Sequence, residues 1–247
     1  MPLMDDDPTD IYDPAYVANL FDRCSTNYRW WSLITSFGFT AIWRRQCVAR
    51  LDKSAPSAVI IDLMAGTGEV WPDLLGRFPG LGTITALDIS HRMHMDAVAR
   101  LHGPYADKIT HIEANALTTA LPADYADMVV STFGLKTFSA DQQAILASQI
   151  SRILKPGGCF ALIEASDPKA WLLRPLYRLY LDRILPMVER FFLNGAHDFS
   201  MIGAYTRNFS DTSHMAQALQ AAGLTVSFKP HFFGCATSVA GHKPEPR

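Results

Sequence analysis

Eleven residues constrain this chain more than any others: Val59-Ile60-Ile61-Asp62-Leu63-Met64-Ala65-Gly66-Thr67-Gly68-Glu69. Apolar, β-branched residues run into an aspartate, and Gly-Thr-Gly follows. The pattern predicts a buried parallel strand that ends in a turn where backbone approaches a ligand closely. Glycine permits that approach because no Cβ stands between ligand and amide. In open α/β sheets, ligands bind beyond the carboxyl ends of the strands, which is where this turn falls.

The rest of the chain repeats the unit. Further strands are predicted at Thr83–Asp88, Ile109–Glu113, Asp127–Thr132 and Cys159–Ala165, with the first beginning at Ala58. Helical patterns separate them, which implies βαβ units and a parallel sheet with right-handed crossovers. Ser139 and Gln142 have capping-box spacing, with Asp141 in the first turn of the helix that follows. Lys155-Pro156-Gly157-Gly158 ends that helix. A last unit closes the chain: helix Asp211–Ala222, strand Leu224–Lys229 and strand Phe233–Ala240. The expected fold is α/β, Rossmann-like, with a seven-stranded and mostly parallel sheet covered by helices on both faces. Residues 1–12 read as a loose acidic tail and 13–51 as a helical, aromatic cap. Residues 52–165 form the core, 166–210 a helical insertion over the active face, and 211–247 the closing unit.

Composition excludes several function classes. A formal net charge of −2 gives no basic face for nucleic acid. Cys24, Cys47, Cys159 and Cys235 lack metal-ligand spacing, so buried or free thiols are expected and no metal. Asp5-Asp6-Asp7 after Met1 is unlike a signal peptide. The uncharged run Trp30 to Trp43 is shorter than the ~20 residues that cross a bilayer. A cytoplasmic location is expected, with a peripheral membrane contact through that run and a homodimer left open.

Asp88, twenty residues after Gly68, ends the second strand and can accept both hydroxyls of a ribose. It suits a dinucleotide and a nucleoside alike, and three further features choose between them. The dinucleotide fingerprint needs a third small residue three places after Gly68, and that place holds Trp71. Asp62 suits a cationic amino-acid ligand, and Asn115, after the third strand, can read an adenine edge. Together these point to S-adenosyl-L-methionine. Asp88 and Asn115 are also common turn residues, which is the competing structural reading.

The chain resembles the UbiE/MenG-type C-methyltransferases of ubiquinone and menaquinone biosynthesis, class I S-adenosylmethionine enzymes. The resemblance is carried by Phe21-Asp22, Tyr28, Ser36-Phe37-Gly38 and Trp43-Arg44, then by Asp62 to Gly68 and Leu87-Asp88-Ile89-Ser90 with Met93. It continues through Asn115-Ala116, Leu121-Pro122, Phe133-Gly134-Leu135, Leu154 to Gly158, and Glu164-Ala165-Ser166 with Pro168. Tyr180, Pro186, Tyr205 and Phe209 fall at the spacing of the family's substrate-side segment. The resemblance implies that Asp62, Gly66, Thr67 and Gly68 form the cofactor turn and Asp88 holds the ribose. Ile89, Met93, Asn115 and Ala116 would lie near the adenine, Thr132 beneath the methionine, and Tyr28 over the cofactor from the cap. Phe133, Thr137, Tyr180, His197 and Tyr205 are the implied substrate contacts.

One departure bears on chemistry. The family's Phe-Gly-Leu/Ile-Arg-Asn is here Phe133-Gly134-Leu135-Lys136-Thr137. Lysine replaces a fixed planar fork with a flexible point charge. Lys136 is therefore the candidate catalytic group, either as a base or as a cation holding a phenolate, and Glu164 is the alternative base. Two aromatic-rich helical segments would build an apolar pocket, so the expected reaction is C-methylation of a hydrophobic phenol- or quinol-like ring. The alternatives are O- or N-methylation, a non-standard reaction such as amination, cyclisation or decarboxylation, and a binding subunit without turnover. His91, His94, His102 and His111 are expected to lack carboxylate partners and to be structural.

Overall fold

The computed structural model describes residues 10–24, 28–52, 57–192 and 200–246. Three helices open the chain: α1 (Pro14–Cys24), α2 (Tyr28–Thr35) and α3 (Phe39–Val48). β1 (Val59–Leu63), α4 (Trp71–Arg77), β2 (Thr83–Asp88), α5 (His91–Val98) and β3 (Ile109–Glu113) follow. Then come β4 (Ala126–Thr132), α6 (Ala140–Ile153) and β5 (Leu154–Ala165). α7 (Arg174–Leu179) continues through a π turn, Tyr180–Ile184, into α8 (Leu185–Phe192), before α9 (Ser200–Phe209). α10 (Ser213–Ala221), β6 (Thr225–His231) and β7 (Ala236–His242) complete the order.

The seven strands form one sheet in the order β3-β2-β1-β4-β5-β7-β6. β1 to β5 are mutually parallel, and β7 runs antiparallel between β5 and β6. Successive residues of a strand enter opposite faces, as a period of two requires. Ile60, Met128, Val130 and Ile163 pack on one face with Trp43, Cys47 and Trp71 from the helices. Ile61, Leu63, Val129 and Leu162 pack on the other with Leu146, Ile150, Met215 and Leu219. Burial on both faces is why these strands read as unbroken apolar runs rather than as alternations. Chain order reverses between β1 and β4, so a crevice opens at their carboxyl ends.

The capping box is present: Ser139 Oγ accepts from the Gln142 amide at 3.3 Å, and Gln142 Oε1 accepts from the Ser139 amide at 3.0 Å. Several expectations are corrected. β5 begins at Leu154, because the Pro156-Gly157-Gly158 bulge shifts register between Ala126 and Met128 without ending the pairing. Phe233 lies outside β7, since Phe232 and Phe233 take left-handed backbone (φ 40° and 56°) that no ladder accommodates. The Trp30–Trp43 run is two helices, broken at Phe37 and Gly38, both with positive φ. Nor are residues 10–12 a loose tail. Tyr205 Oη donates to the Ile11 carbonyl and Gln142 Nε2 to the Tyr12 carbonyl, at 2.5 and 2.9 Å.

Candidate active site

The Gly66-Thr67-Gly68 turn owes its two glycines to different causes. Gly66 has φ +55° and opens on the crevice; a Cβ there would meet only Glu69 Oε2, at 3.6 Å. Gly68 has φ +80°, and a Cβ there would lie 2.3 Å from the Trp71 indole. It is therefore a packing glycine, which corrects the expectation that ligand approach requires it. Trp71 is fully buried, and its Nε1 donates to Asp62 Oδ2 at 3.1 Å. Asp62 Oδ1 is buried with no partner among the described residues, and burial holds this carboxyl well above the ordinary carboxylate range. Asp62 and Thr67 thus brace the turn from behind instead of lining the crevice. The Thr67 hydroxyl bonds Glu69, and Arg100 reaches both the Thr67 carbonyl and Glu69.

A histidine pair supports the same turn. His111 Nε2 lies 3.2 Å from the Gly66 carbonyl, and its Nδ1 lies 2.9 Å from His94 Nδ1. A carbonyl only accepts, so His111 Nε2 carries the proton. Burial lowers His111 to about 4. The neutral ring therefore accepts at Nδ1 from His94, and both tautomers are fixed. One expectation about the histidines fails: His91 does have a carboxylate partner, Glu113 at 2.8 Å, on the exposed edge of the sheet.

The crevice above the turn holds about 890 Å³, partly open to solvent. Its acidic groups are Glu69 and Asp88, its cation is Arg44, and Leu87, Ile89, Met93, Ala116, Leu117 and Phe138 supply an apolar slot. Asp88 Oδ2 accepts from the Gly66 amide at 2.8 Å and Oδ1 from the Ser90 amide at 2.9 Å. Burial nevertheless raises its carboxyl to about 6, against those two bonds. Asn115 lines the crevice, but its Oδ1 accepts from the Leu117 amide at 2.9 Å in an Asx turn. Its amide nitrogen is the polar atom left for a base edge. Thr132 lines this space as well, and so does Thr137, which was expected on the substrate side. The cap closes over it through Tyr12, Pro14, Val17, Phe21 and Ser32. α1 is fastened there by Asp22, whose Oδ1 accepts from Ser90 Oγ at 2.6 Å and the Arg92 amide at 2.9 Å. Tyr28 sits at the start of α2, and the position of its side chain is not described.

A second cavity lies next to the first and shares Phe133 and Ser32 with it. Phe39, Trp43, Trp171, Tyr177, Tyr180 and Leu185 make its walls, and it holds about 1320 Å³, partly open to solvent. The dividing wall is tightly built. Met64 (φ 52°) and Phe133 (φ 68°) are both left-handed, and a Cβ on Gly134 would fall 2.5 Å from that of Met64. Non-glycine residues held in this region are strained and persist only where the surroundings over-determine them. Lys136 follows on a single 3-10 turn and lines the second cavity. Its Nζ donates to Glu164 Oε1 at 2.7 Å, its amide reaches Oε2 at 3.2 Å, and the Ala165 amide donates to Oε1 at 2.8 Å. Glu164 is fully buried behind the lysine and does not reach the cavity.

Among the other expected substrate contacts, Tyr180 lines this cavity with its Oη on the Thr35 carbonyl at 2.5 Å. Tyr205 does not line either cavity. It is buried among Leu20, Cys24 and Tyr12, which makes it a packing residue. His197 lies outside the described residues. The four cysteines are buried and form no disulfide among the described residues. Glu69 and Arg44 line the crevice and were missed. Glu69 adjoins the Gly-Thr-Gly signal directly, whereas Arg44 comes from the cap and has no local signal.

The model of the ubiE/COQ5 methyltransferase family matches residues 9–243. The chain belongs to that family. It is 30% identical to the demethylmenaquinone methyltransferase of Lactiplantibacillus plantarum over 229 residues, covering 92% of this chain and 95% of that one. It is 26% identical to the ubiquinone/menaquinone biosynthesis C-methyltransferase UbiE of Shewanella halifaxensis over 208 residues, 84% of this chain and 82% of that one. Among solved structures, the [4+2]-cyclase SpnF superposes with a TM-score of 0.65 at 13% identity, covering 94% of this chain and 96% of that one. That likeness is one of fold. As a ubiE/COQ5 methyltransferase, the chain is an S-adenosylmethionine-dependent enzyme, and the crevice suits that cofactor. Two carboxylates and a guanidinium fit a zwitterion and a ribose, and the apolar slot fits a purine.

Proposed function

We propose that the enzyme transfers a methyl group to a ring carbon of a hydrophobic phenol or quinol held in the second cavity. The observation that carries this reading is Lys136: a buried ammonium, fixed by Glu164, set in an apolar and aromatic cavity that meets the cofactor crevice only at a shared wall. In the crevice, Asp88 takes the ribose, Asn115 the base edge, and Glu69 and Arg44 the charged ends of the amino acid. S-adenosylmethionine, when bound, supplies a methyl carbon on a sulfonium, and the sulfur keeps the bonding pair.

The chain's own residues do the rest. A ring hydroxyl against Lys136 Nζ gives up its proton as Nζ passes one to Glu164 Oε1. The ammonium is unchanged and a phenolate stands beside it. A phenolate carries nucleophilic density on its ring carbons, the group that an in-line displacement needs. The attacked carbon later releases its proton to water, and Glu164 returns its proton through Nζ to the product oxygen. Phe133 keeps water from the path between the two cavities. Only Lys136 of the pair faces the acceptor, so Glu164 is a positioning residue. The same reading divides the chain into cap 13–51, core 52–165, insertion 166–210 and closing unit 211–247, and includes a peripheral membrane contact.

Lys136→Ala should lower turnover on the order of 10²–10⁴-fold while leaving S-adenosylmethionine affinity, measured by calorimetry, within about twofold. Affinity lost while turnover persists would place Lys136 on the wrong side of the wall.

A further inference from the structure

The helix that walls the acceptor cavity is apolar on its outer face as well. Tyr177, Leu181 and Leu185 face inward. Leu176, Leu179, Arg183 and Met187 follow one another at three- and four-residue steps and are all exposed, Leu176 by 61% and Met187 by 57%. Leu172, just before α7, is 89% exposed. A helix that exposes apolar side chains on this face as well as toward the cavity has a second burial partner, with Arg183 between Leu179 and Met187 keeping its charge in water.

We propose that this partner is an anionic lipid bilayer, and that the acceptor enters the second cavity directly from it. This rests on the reading of that cavity as the acceptor site. The cavity mouth is continuous with the stripe. Phe37, Leu173, Leu176 and Phe232 line the cavity and are also exposed at its rim, Phe37 by 76%. Charge agrees with the choice. The chain as a whole carries −2, yet residues 167–187 hold Lys169, Arg174, Arg178 and Arg183 against Asp182 and Asp167, the latter bridged to Arg174. Basic side chains beside an apolar helical face favour the surface of an anionic membrane. The surface lies on α7 and α8, not on the Trp30–Trp43 run alone. Among the described residues no helix is long and apolar enough to cross a membrane, so the contact is peripheral.

The test is co-sedimentation of the full chain with vesicles of equal parts phosphatidylcholine and phosphatidylglycerol. The comparison is Leu172→Glu/Leu179→Glu/Met187→Glu, none of which lines a cavity. Wild type is expected to pellet with these vesicles and far less with phosphatidylcholine alone. The triple variant should stay in the supernatant, with its melting temperature and S-adenosylmethionine affinity unchanged. It should keep turnover of a short, water-soluble quinol and lose most turnover of a long-chain quinol dissolved in the vesicles. If the triple variant fails to fold, Leu172→Glu alone is read in the same way. Equal pelleting of variant and wild type, or no pelleting of wild type, overturns the proposal. So does a wild-type dimer that the variant dissolves while vesicle binding is absent, which would make the partner a second copy. Vesicle binding is measured without turnover, so failure of the acceptor reading is seen separately.

Discussion

Asp88 sits in a place that opposes its charge. Burial raises its carboxyl to about 6, while amides of Gly66 and Ser90 favour the ionised form. Ribose hydroxyls are donors and need the carboxylate. S-adenosylmethionine affinity should therefore weaken as pH falls through about 6. Asp88→Asn should bind more weakly and lose that pH dependence, which titration calorimetry between pH 7 and pH 5 reads directly. A weak but equally pH-dependent Asp88→Asn would assign the titration to another group. Position at a strand end made Asp88 and Asn115 legible, because the fold rule fixes where strand ends point, whereas Thr132 came only from the family resemblance. Position could not separate Asp62 and Thr67, which brace the turn, from Gly66, which borders the ligand. That depends on the rotation of Trp71, a contact nine residues from Asp62 that no spacing rule encodes.

At the scale of elements, the junction of β1 with α4 depends on an aromatic ring lying against bare backbone. Gly68→Ala forces a Cβ into the Trp71 indole and keeps a left-handed φ. It should cost about 2–5 kcal/mol, read as a lower denaturant midpoint with an unchanged slope. Ser139→Ala removes one half of the capping box on α6 and should cost about 1 kcal/mol, with no effect on cofactor affinity. An intact affinity at Gly68→Ala together with unchanged stability would contradict the packing account. Elements with strong period were legible: α6 with its cap, and the doubly buried strands. The tip of β7 was not, because Phe232 and Phe233 have strand-like residue types in left-handed backbone, where Trp171 stacks on Phe233 at 5.4 Å. Tertiary contact decides such a position, not propensity.

For the molecule as a whole, two adjoining cavities share one strained wall, and the proposed function gives one to the cofactor and the other to the acceptor. The cofactor side is stabilised by groups that titrate. His111 is held near 4, below its ordinary 6.5, so the folded state stays neutral where the unfolded chain takes up a proton. Stability from this group is complete above pH 6.5 and is lost as pH falls toward 4. In His111→Asn the slope of unfolding free energy against pH should be shallower over that window. An unchanged slope would remove His111 from the turn's support. The cap and insertion were legible as aromatic helical segments, but their meeting over one sheet edge was not, since 145 residues separate Tyr180 from the Thr35 carbonyl it holds. The account as a whole is tested most directly by the position of the transferred methyl group. Enzyme, a hydrophobic quinol and S-adenosylmethionine labelled with carbon-13 in its methyl group should give a product heavier by one methyl. Its labelled signal in a heteronuclear NMR spectrum should be that of a methyl on a ring carbon beside the hydroxyl. A labelled methoxy signal, or consumption of quinol without gain of label, would contradict it.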